Sequence, residues 1–168
     1  QIINILPQET SKLLEQKKVD AVVTWEPYAY LAKKRMLDEI KYIPHDRVYV
    51  ETFNAISLRK FANENPDKLT RFTQAIMKAT EYIKHNNSAS QKIVATVLGK
   101  ELEVIENTWS DYSFTVELSQ WLLTSMETEA RWAINNNFLE VKQITNYIYF
   151  INSKTLNEVD SKRITIFK

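Results

Sequence analysis

The sequence predicts an α/β chain, a βαβ segment followed by a helix-rich region. Three observations predict it. Two short apolar runs, Ile2–Leu6 and Val19–Trp25, flank a helical stretch within about 25 residues, the pattern of parallel strands joined by a crossover. From Asn65 onward the apolar residues recur at helical spacing. Proline and glycine then fall where helices begin and end rather than inside them.

Taken in order, Ile2–Leu6 is a buried-strand candidate that stops at Pro7. Thr10–Lys18 reads as a helix with Leu13 and Leu14 on one face. Val19–Trp25 is the second strand. Pro27 suits the first turn of a helix over Tyr28–Met36, where its missing N–H is not needed. Lys41–Ile43 and Val48–Thr52 read as extended pieces around a Pro44-His45-Asp46-Arg47 turn, and Phe53–Leu58 as a further extended segment. Asn65 caps and Pro66 opens a helix to about Asn86, with Leu69, Phe72, Ile76 and Ile83 on its apolar side. Ser90–Leu98 is a second helix with Gly99 suited to the left-handed position after it. Glu101–Trp109 and Val116–Asn136 are the third and fourth. A turn or short helix near Ile144–Ile151 and a terminal strand at Arg163–Phe167 complete the expectation. The boundaries are therefore 1–50 for the βαβ part, 51–58 for a crossing and return strand, and 59–168 for the helix-rich part.

Composition narrows the function classes. Lys plus Arg number 22 against 21 Asp plus Glu, a formal net charge of +1. Nucleic-acid binding rests on clustered cation excess that displaces counterions, so a nucleic-acid partner is not expected. Cysteine is absent, which removes disulfides, thiolate nucleophiles and thiolate metal sites together. His45 and His85 stand apart with no partner at metal-ligand spacing, so no metal and no cofactor is expected. Gly99 is the only glycine, and phosphate-cradling loops need several. No apolar run reaches the roughly 18 residues that span a bilayer. The Gln1-Ile2-Ile3-Asn4 start has no initiator Met and no signal-peptide plan, and reads like the middle of a protein.

The stretch "VDAVVTWEPYAY", residues 19–30, is where chemistry is most concentrated. In a parallel sheet the C-terminal strand ends face the ligand crevice. Trp25 offers a flat apolar face and one N–H donor, Glu26 a carboxylate, and Tyr28 a ring with a hydroxyl. The amides after Pro27 open a helix, and such an opening favours anionic groups. The same aromatics also suit a plug over the core. Glu26 would repel a sulfonate or nitrate, so it either has a hinge or capping role or favours a cationic or hydrogen-bond-donating ligand. Asn54 either reaches a ligand or forms a turn. Trp109, Tyr112 and Phe114, with Trp121 and Trp132, suit packing, and Arg131 suits a pair with Glu127 one turn earlier. Glu101 and Glu103 at a helix start favour its dipole rather than acid–base chemistry.

"ILPQETSKLLEQKKVDAVVTWEPYAYLAKK" resembles periplasmic substrate-binding proteins of nitrate, taurine, alkanesulfonate and thiamine-pyrimidine ABC transporters. Lys18-Val19-Asp20-Ala21 and Trp25-Glu26-Pro27-Tyr28 carry the match, with Lys17 where a glycine is common. "FNAISLRKFANENPDKLTRFTQAIMKATEYI" resembles the family's return crossing and long helix. "WSDYSFTVELSQWLLTSMETEARWAINN" and "NYIYFINSKTLNEVDSKRITIF" resemble its closing helices and ending.

The resemblance implies part of a type II periplasmic-binding-protein fold, with 1–50 ending the distal lobe and 59–168 in the proximal lobe. Roughly the first 40 to 50% of a family member would have no counterpart, judged from ordinary lobe sizes. It further implies Trp25, Glu26 and Tyr28 lining a cleft, with Asn54 within reach. The function implied is periplasmic or extracytoplasmic solute binding for an ABC importer. A small ligand of the sulfonate, nitrate, amine or pyrimidine class is clamped by hinge closure without chemistry and passed to a membrane permease. The alternative is a ligand-sensing extracellular domain of a histidine kinase or diguanylate cyclase. Fungal thiamine-pyrimidine synthases resemble the same fold, but they carry a cysteine-rich motif that this chain lacks. A face prepared for absent polypeptide would stay apolar and exposed, so self-association of the chain is also expected.

Overall fold

Helices supply nearly all the regular structure of the described residues. The computed structural model describes residues 1–43, 50–141 and 143–166. Among the described residues eight α-helices follow in chain order: α1 (Thr10–Glu15), α2 (Tyr28–Met36), α3 (Arg59–Glu64), α4 (Pro66–His85), α5 (Asn87–Leu98), α6 (Leu102–Thr108), α7 (Gln120–Asn135) and α8 (Lys154–Asp160). Single 3-10 turns lie between several of them.

The α/β expectation, with its βαβ segment and partial type II periplasmic-binding-protein fold, is corrected here. Among the described residues there is no strand ladder, only one isolated parallel bridge between Leu118 and Ile164. Ile2–Leu6 and Val19–Trp25 carry no regular structure, and Ile2 and Val23 are fully exposed at 100% and 102%. The reason is physical. A helix satisfies its amides within one segment, whereas a strand exists only where a second strand accepts its N–H groups. Apolar, β-branched sequence states a preference for such pairing and supplies no partner. Phe53–Leu58 is likewise exposed and unpaired. The Arg163–Phe167 strand reduces to the bridge at Ile164, where Leu118 N–H donates to Arg163 O and Thr165 N–H to Leu118 O, both at 2.9 Å. Phe167 lies outside the described residues, as do the Pro44–Arg47 turn, the first part of Val48–Thr52, and His45.

The helices follow local chemistry closely. Pro27 precedes α2, and Pro66 is the first residue of α4, where its fixed φ is already helical. Asn65 accompanies it, although its side-chain amide donates back to Phe61 O at 3.1 Å instead of accepting from the new helix. Gly99 closes α5 in the left-handed conformation at φ 60° and ψ 38°. Its amide reaches Thr96 O at 3.3 Å, and the Lys100 amide reaches Ala95 O at 3.0 Å, which satisfies carbonyls left open at the helix end. The fourth expected helix begins at Gln120 rather than Val116, because Val116–Ser119 is taken up by the Leu118 bridge and the extended Ser119.

The chain divides into two compact units: Gln1–Val50 with Tyr82–Phe114, and Glu51–Glu81 with Thr115–Lys168. In the first, α2 packs against both α1 and α6, and α6 packs against α5. Thr10, Ala32, Ser90, Ala95, Val104, Ile105 and Thr108 form its interior. Small side chains dominate, so the helices approach closely while little apolar area is removed from water. The three buried hydroxyls are hydrogen-bonded to carbonyls: Thr10 to Pro7 at 2.7 Å, Ser90 to Asn86 at 2.8 Å, and Thr108 to Val104 at 2.9 Å. Arg35 ties α2 to α1 through Glu15 at 2.6 Å. In the second unit Leu122, Leu123 and Ala130 of α7 and Leu156 of α8 are buried. Arg163 closes it, donating to Asp160 at 3.0 Å and to Val116 O at 3.3 Å.

Candidate functional site: the turn ahead of α2

The apolar run Ala21-Val22-Val23 ends at Thr24, and the chain then turns into α2. The Glu26–Pro27 peptide bond is cis. Trp25 is 55% exposed, and its ring meets that of Tyr28 edge-on, with centroids 6.0 Å apart and planes at 87°. Such T-shaped packing sets the positive edge of one ring against the negative face of the other and fixes the indole without burying it. Thr24 Oγ1, just before it, is shielded from solvent and has no hydrogen-bond partner among the described residues. The turn thus presents a fixed aromatic surface to solvent.

The amides at the start of α2 are already occupied. Pro27 has no N–H. Tyr28 and Ala29 N–H both donate to Trp25 O, at 2.9 and 3.3 Å. Tyr30 N–H donates to Glu26 Oε2 at 2.9 Å. The carboxylate of Glu26 thereby holds the place where an anionic ligand would have met the positive end of the helix. Glu26 serves the helix start, which was one of its two readings from sequence.

Tyr112 was read from sequence as a packing aromatic, yet it reaches the same turn. Its hydroxyl donates to Glu26 O at 3.1 Å, while its ring lies 6.2 Å from Phe114, which in turn lies 4.6 Å from Trp109. The available signal was the hydroxyl itself, since a tyrosine beside apolar aromatics usually has a partner for its polar end.

One turn further along α2, Tyr30 and Lys34 meet Glu103 of α6. Tyr30 Oη donates to Glu103 Oε1 at 3.2 Å, and Lys34 Nζ donates to Oε2 at 2.6 Å, with Glu101 at 3.9 Å from the same ammonium. The hydrogen bonds from Lys34 and Tyr30 hold the Glu103 carboxyl below the ordinary carboxylate range. The bond to Glu103 holds the Lys34 ammonium above the ordinary lysine value. Partial desolvation, then the neighbouring carboxylate, raises the Tyr30 phenol. The carboxylates at the start of α6 thus clamp α2 to α6.

Trp25, Glu26 and Tyr28 therefore stand together in one turn of the first unit. Asn54 belongs to the second unit, where its amide donates to Thr52 Oγ1 at 3.1 Å and weakly to Thr52 O at 3.4 Å, a local turn contact. Trp121 and Trp132 lie on α7, and Trp132 stacks on Phe138 with centroids 5.2 Å apart. Arg131 pairs with Glu127 at 3.4 Å, as its spacing suggests. Among the described residues no group of three or more His, Asp or Glu side chains is close enough to hold a metal ion. No helix among them is long and apolar enough to cross a membrane.

The family model described as "NMT1/THI5 like" matches residues 1–90, a span that contains the whole Trp25 turn. A curated relative from Bacillus subtilis (strain 168), named "Putative aliphatic sulfonates-binding protein", is 28% identical over 109 residues. That alignment covers 63% of this chain and 32% of the relative, so the matched region spans about a third of the relative's length. The relative's name is that of a binding protein and not of an enzyme. No solved structure matches the chain significantly. The resemblance carried by Trp25-Glu26-Pro27-Tyr28 and the family match coincide, and the chain belongs to the NMT1/THI5-like family.

Proposed function

We propose that this chain is the solute-binding part of an extracytoplasmic component of an ABC importer, and that it binds a small organic ligand without chemistry. What carries the reading is the Trp25 indole, exposed yet fixed by Tyr28, inside the residues matched to the family. Small-molecule sites combine apolar or aromatic surface with a few placed polar groups, and this turn has that composition.

The ligand favoured is an alkanesulfonate whose apolar tail lies on the indole. The relative's printed name supports the sulfonate class. The occupied amides of α2 support the orientation: the tail, not the anionic head, faces this turn, because Glu26 already meets Tyr30 N–H there. Nitrate has no tail and is disfavoured on the same ground. Delivery to a membrane permease completes the proposed role.

Thermal unfolding of the protein expressed from its whole reading frame, against alkanesulfonates of increasing chain length, taurine, nitrate, amines and aminopyrimidines, tests it. A ligand at 100 times its dissociation constant adds about 2.7 kcal/mol of stability. The expected result is a shift that grows with alkyl length. A shift with nitrate that equals the alkanesulfonate shift would contradict the tail-on-indole arrangement, and no shift with any solute would contradict the binding role.

A further inference from the structure

Trp25 stands edge-on to Tyr28 with ring centroids 6.0 Å apart, and the Glu26–Pro27 peptide unit lies between the two residues. That unit has no N–H, because its nitrogen is the proline's. Backbone hydrogen bonding can therefore orient it only through the Glu26 carbonyl. The carbonyl accepts from the Tyr112 hydroxyl at 3.1 Å.

The neighbouring bonds are local. Trp25 O accepts from the Tyr28 and Ala29 amides, and the Glu26 carboxylate accepts from Tyr30 N–H. All of these lie within the opening of α2 and move with it as one piece. Tyr112 reaches the turn from 86 positions away in sequence. It is itself anchored, since its amide donates to Trp109 O at 3.3 Å and its ring lies 6.2 Å from that of Phe114. Trp25 is 55% exposed, so burial of the indole supplies only part of the hold on it.

On the ligand reading given above, we infer that Tyr112 is a positioning residue for the apolar tail of the sulfonate. Its hydroxyl holds the Glu26–Pro27 unit in the orientation that keeps Trp25 against Tyr28, and it touches no ligand. Apparent affinity falls with the fraction of chains in the competent arrangement. Losing this bond therefore lowers affinity for long tails by about threefold, the scale of one exposed hydrogen bond. A sulfonate with almost no tail does not use the indole, so its affinity does not change.

Calorimetric titration of methanesulfonate and hexanesulfonate into the protein expressed from its whole reading frame tests the inference. The readout is the ratio of the two affinities, because general loosening of the fold weakens both ligands alike. Tyr112→Phe is expected to lower the hexanesulfonate-to-methanesulfonate ratio about threefold, with helical circular dichroism unchanged. Gly99→Ala, which strains the end of α5 and leaves the turn alone, is expected to keep the ratio. Trp25→Ala is expected to remove most of it. A Tyr112→Phe protein with the original ratio, beside a Trp25→Ala protein that has lost it, would overturn the positioning role and leave the ligand reading standing. An equal fall in Gly99→Ala would also overturn it. Failure of the unaltered protein to bind either sulfonate, or a Trp25→Ala protein that keeps the ratio, would overturn the ligand reading and the positioning role together.

Discussion

Tyr112 and Glu26, 86 positions apart in sequence, are joined where the Tyr112 hydroxyl donates to the Glu26 carbonyl at 3.1 Å. This bond fastens the segment after α6 to the turn ahead of α2. A net hydrogen bond is worth about 0.5–1.5 kcal/mol, and an exposed one sits at the low end. Tyr112→Phe keeps the ring against Phe114 and is predicted to lose about 0.5 kcal/mol in urea unfolding. An unchanged midpoint would mean that the turn is held by other contacts.

The Glu26 carboxylate has a helix-capping role. Glu26→Ala is predicted to cost about 1 kcal/mol, the usual loss when a side-chain acceptor is removed from a helix start. Glu26→Gln keeps an acceptor for Tyr30 N–H and gives up only the favourable charge at the positive helix end, worth about 0.3–1 kcal/mol. The order Ala worse than Gln, read from urea midpoints, checks this. Equal losses would assign the effect to charge alone.

Gly99 isolates a backbone effect. A Cβ there would meet nothing within 4 Å, so only the left-handed conformation at φ 60° opposes a side chain. Gly99→Ala is predicted to destabilise by about 1–2 kcal/mol, and Gly99→Asn by less, because Asn tolerates this region. A neutral Gly99→Ala would show that the end of α5 relaxes to another conformation.

The Tyr30–Lys34–Glu103 clamp sets a pH window. Glu103 has its acidity strengthened in the folded chain, so its contribution is present above the ordinary carboxylate range and is lost as pH falls through it. Lys34 and Tyr30 are raised, so theirs are present below the ordinary lysine and tyrosine values and lost as pH rises past the folded ones. The urea midpoint is predicted to be highest between these limits, and Glu103→Gln to flatten both arms. High salt should weaken the effect, since the groups are exposed. A profile unaltered by Glu103→Gln would remove the clamp from the account.

Helix ends were the most legible part of the fold. Pro27, Pro66 and Gly99 each mark a boundary through their own backbone chemistry, which needs no distant partner. The expected strands at Ile2–Leu6 and Val19–Trp25 carry no regular structure. Val22 and Val23 state a preference for pairing, but pairing is decided by a second segment that the preference cannot supply. Helix α8 was missed because it has only seven residues and Ser153 at its start makes no side-chain cap bond; Leu156, 4% exposed, holds it by packing instead. At the candidate site the aromatics were legible by type. The assignment of Glu26 to Tyr30 N–H and of Tyr112 to Glu26 O was not, because both depend on how the turn is folded.

The most direct test of the central claim is calorimetric titration of an alkanesulfonate into the protein and into its Trp25→Ala and Tyr28→Phe versions. Trp25 is more than half exposed, so its loss should leave the unfolding midpoint nearly unchanged. The account predicts that Trp25→Ala weakens binding at least tenfold, while Tyr28→Phe, which keeps the ring that fixes the indole, binds within about threefold; a tenfold loss corresponds to about 1.4 kcal/mol. Full affinity in a folded Trp25→Ala protein would contradict it, and the turn would then be only the opening of α2.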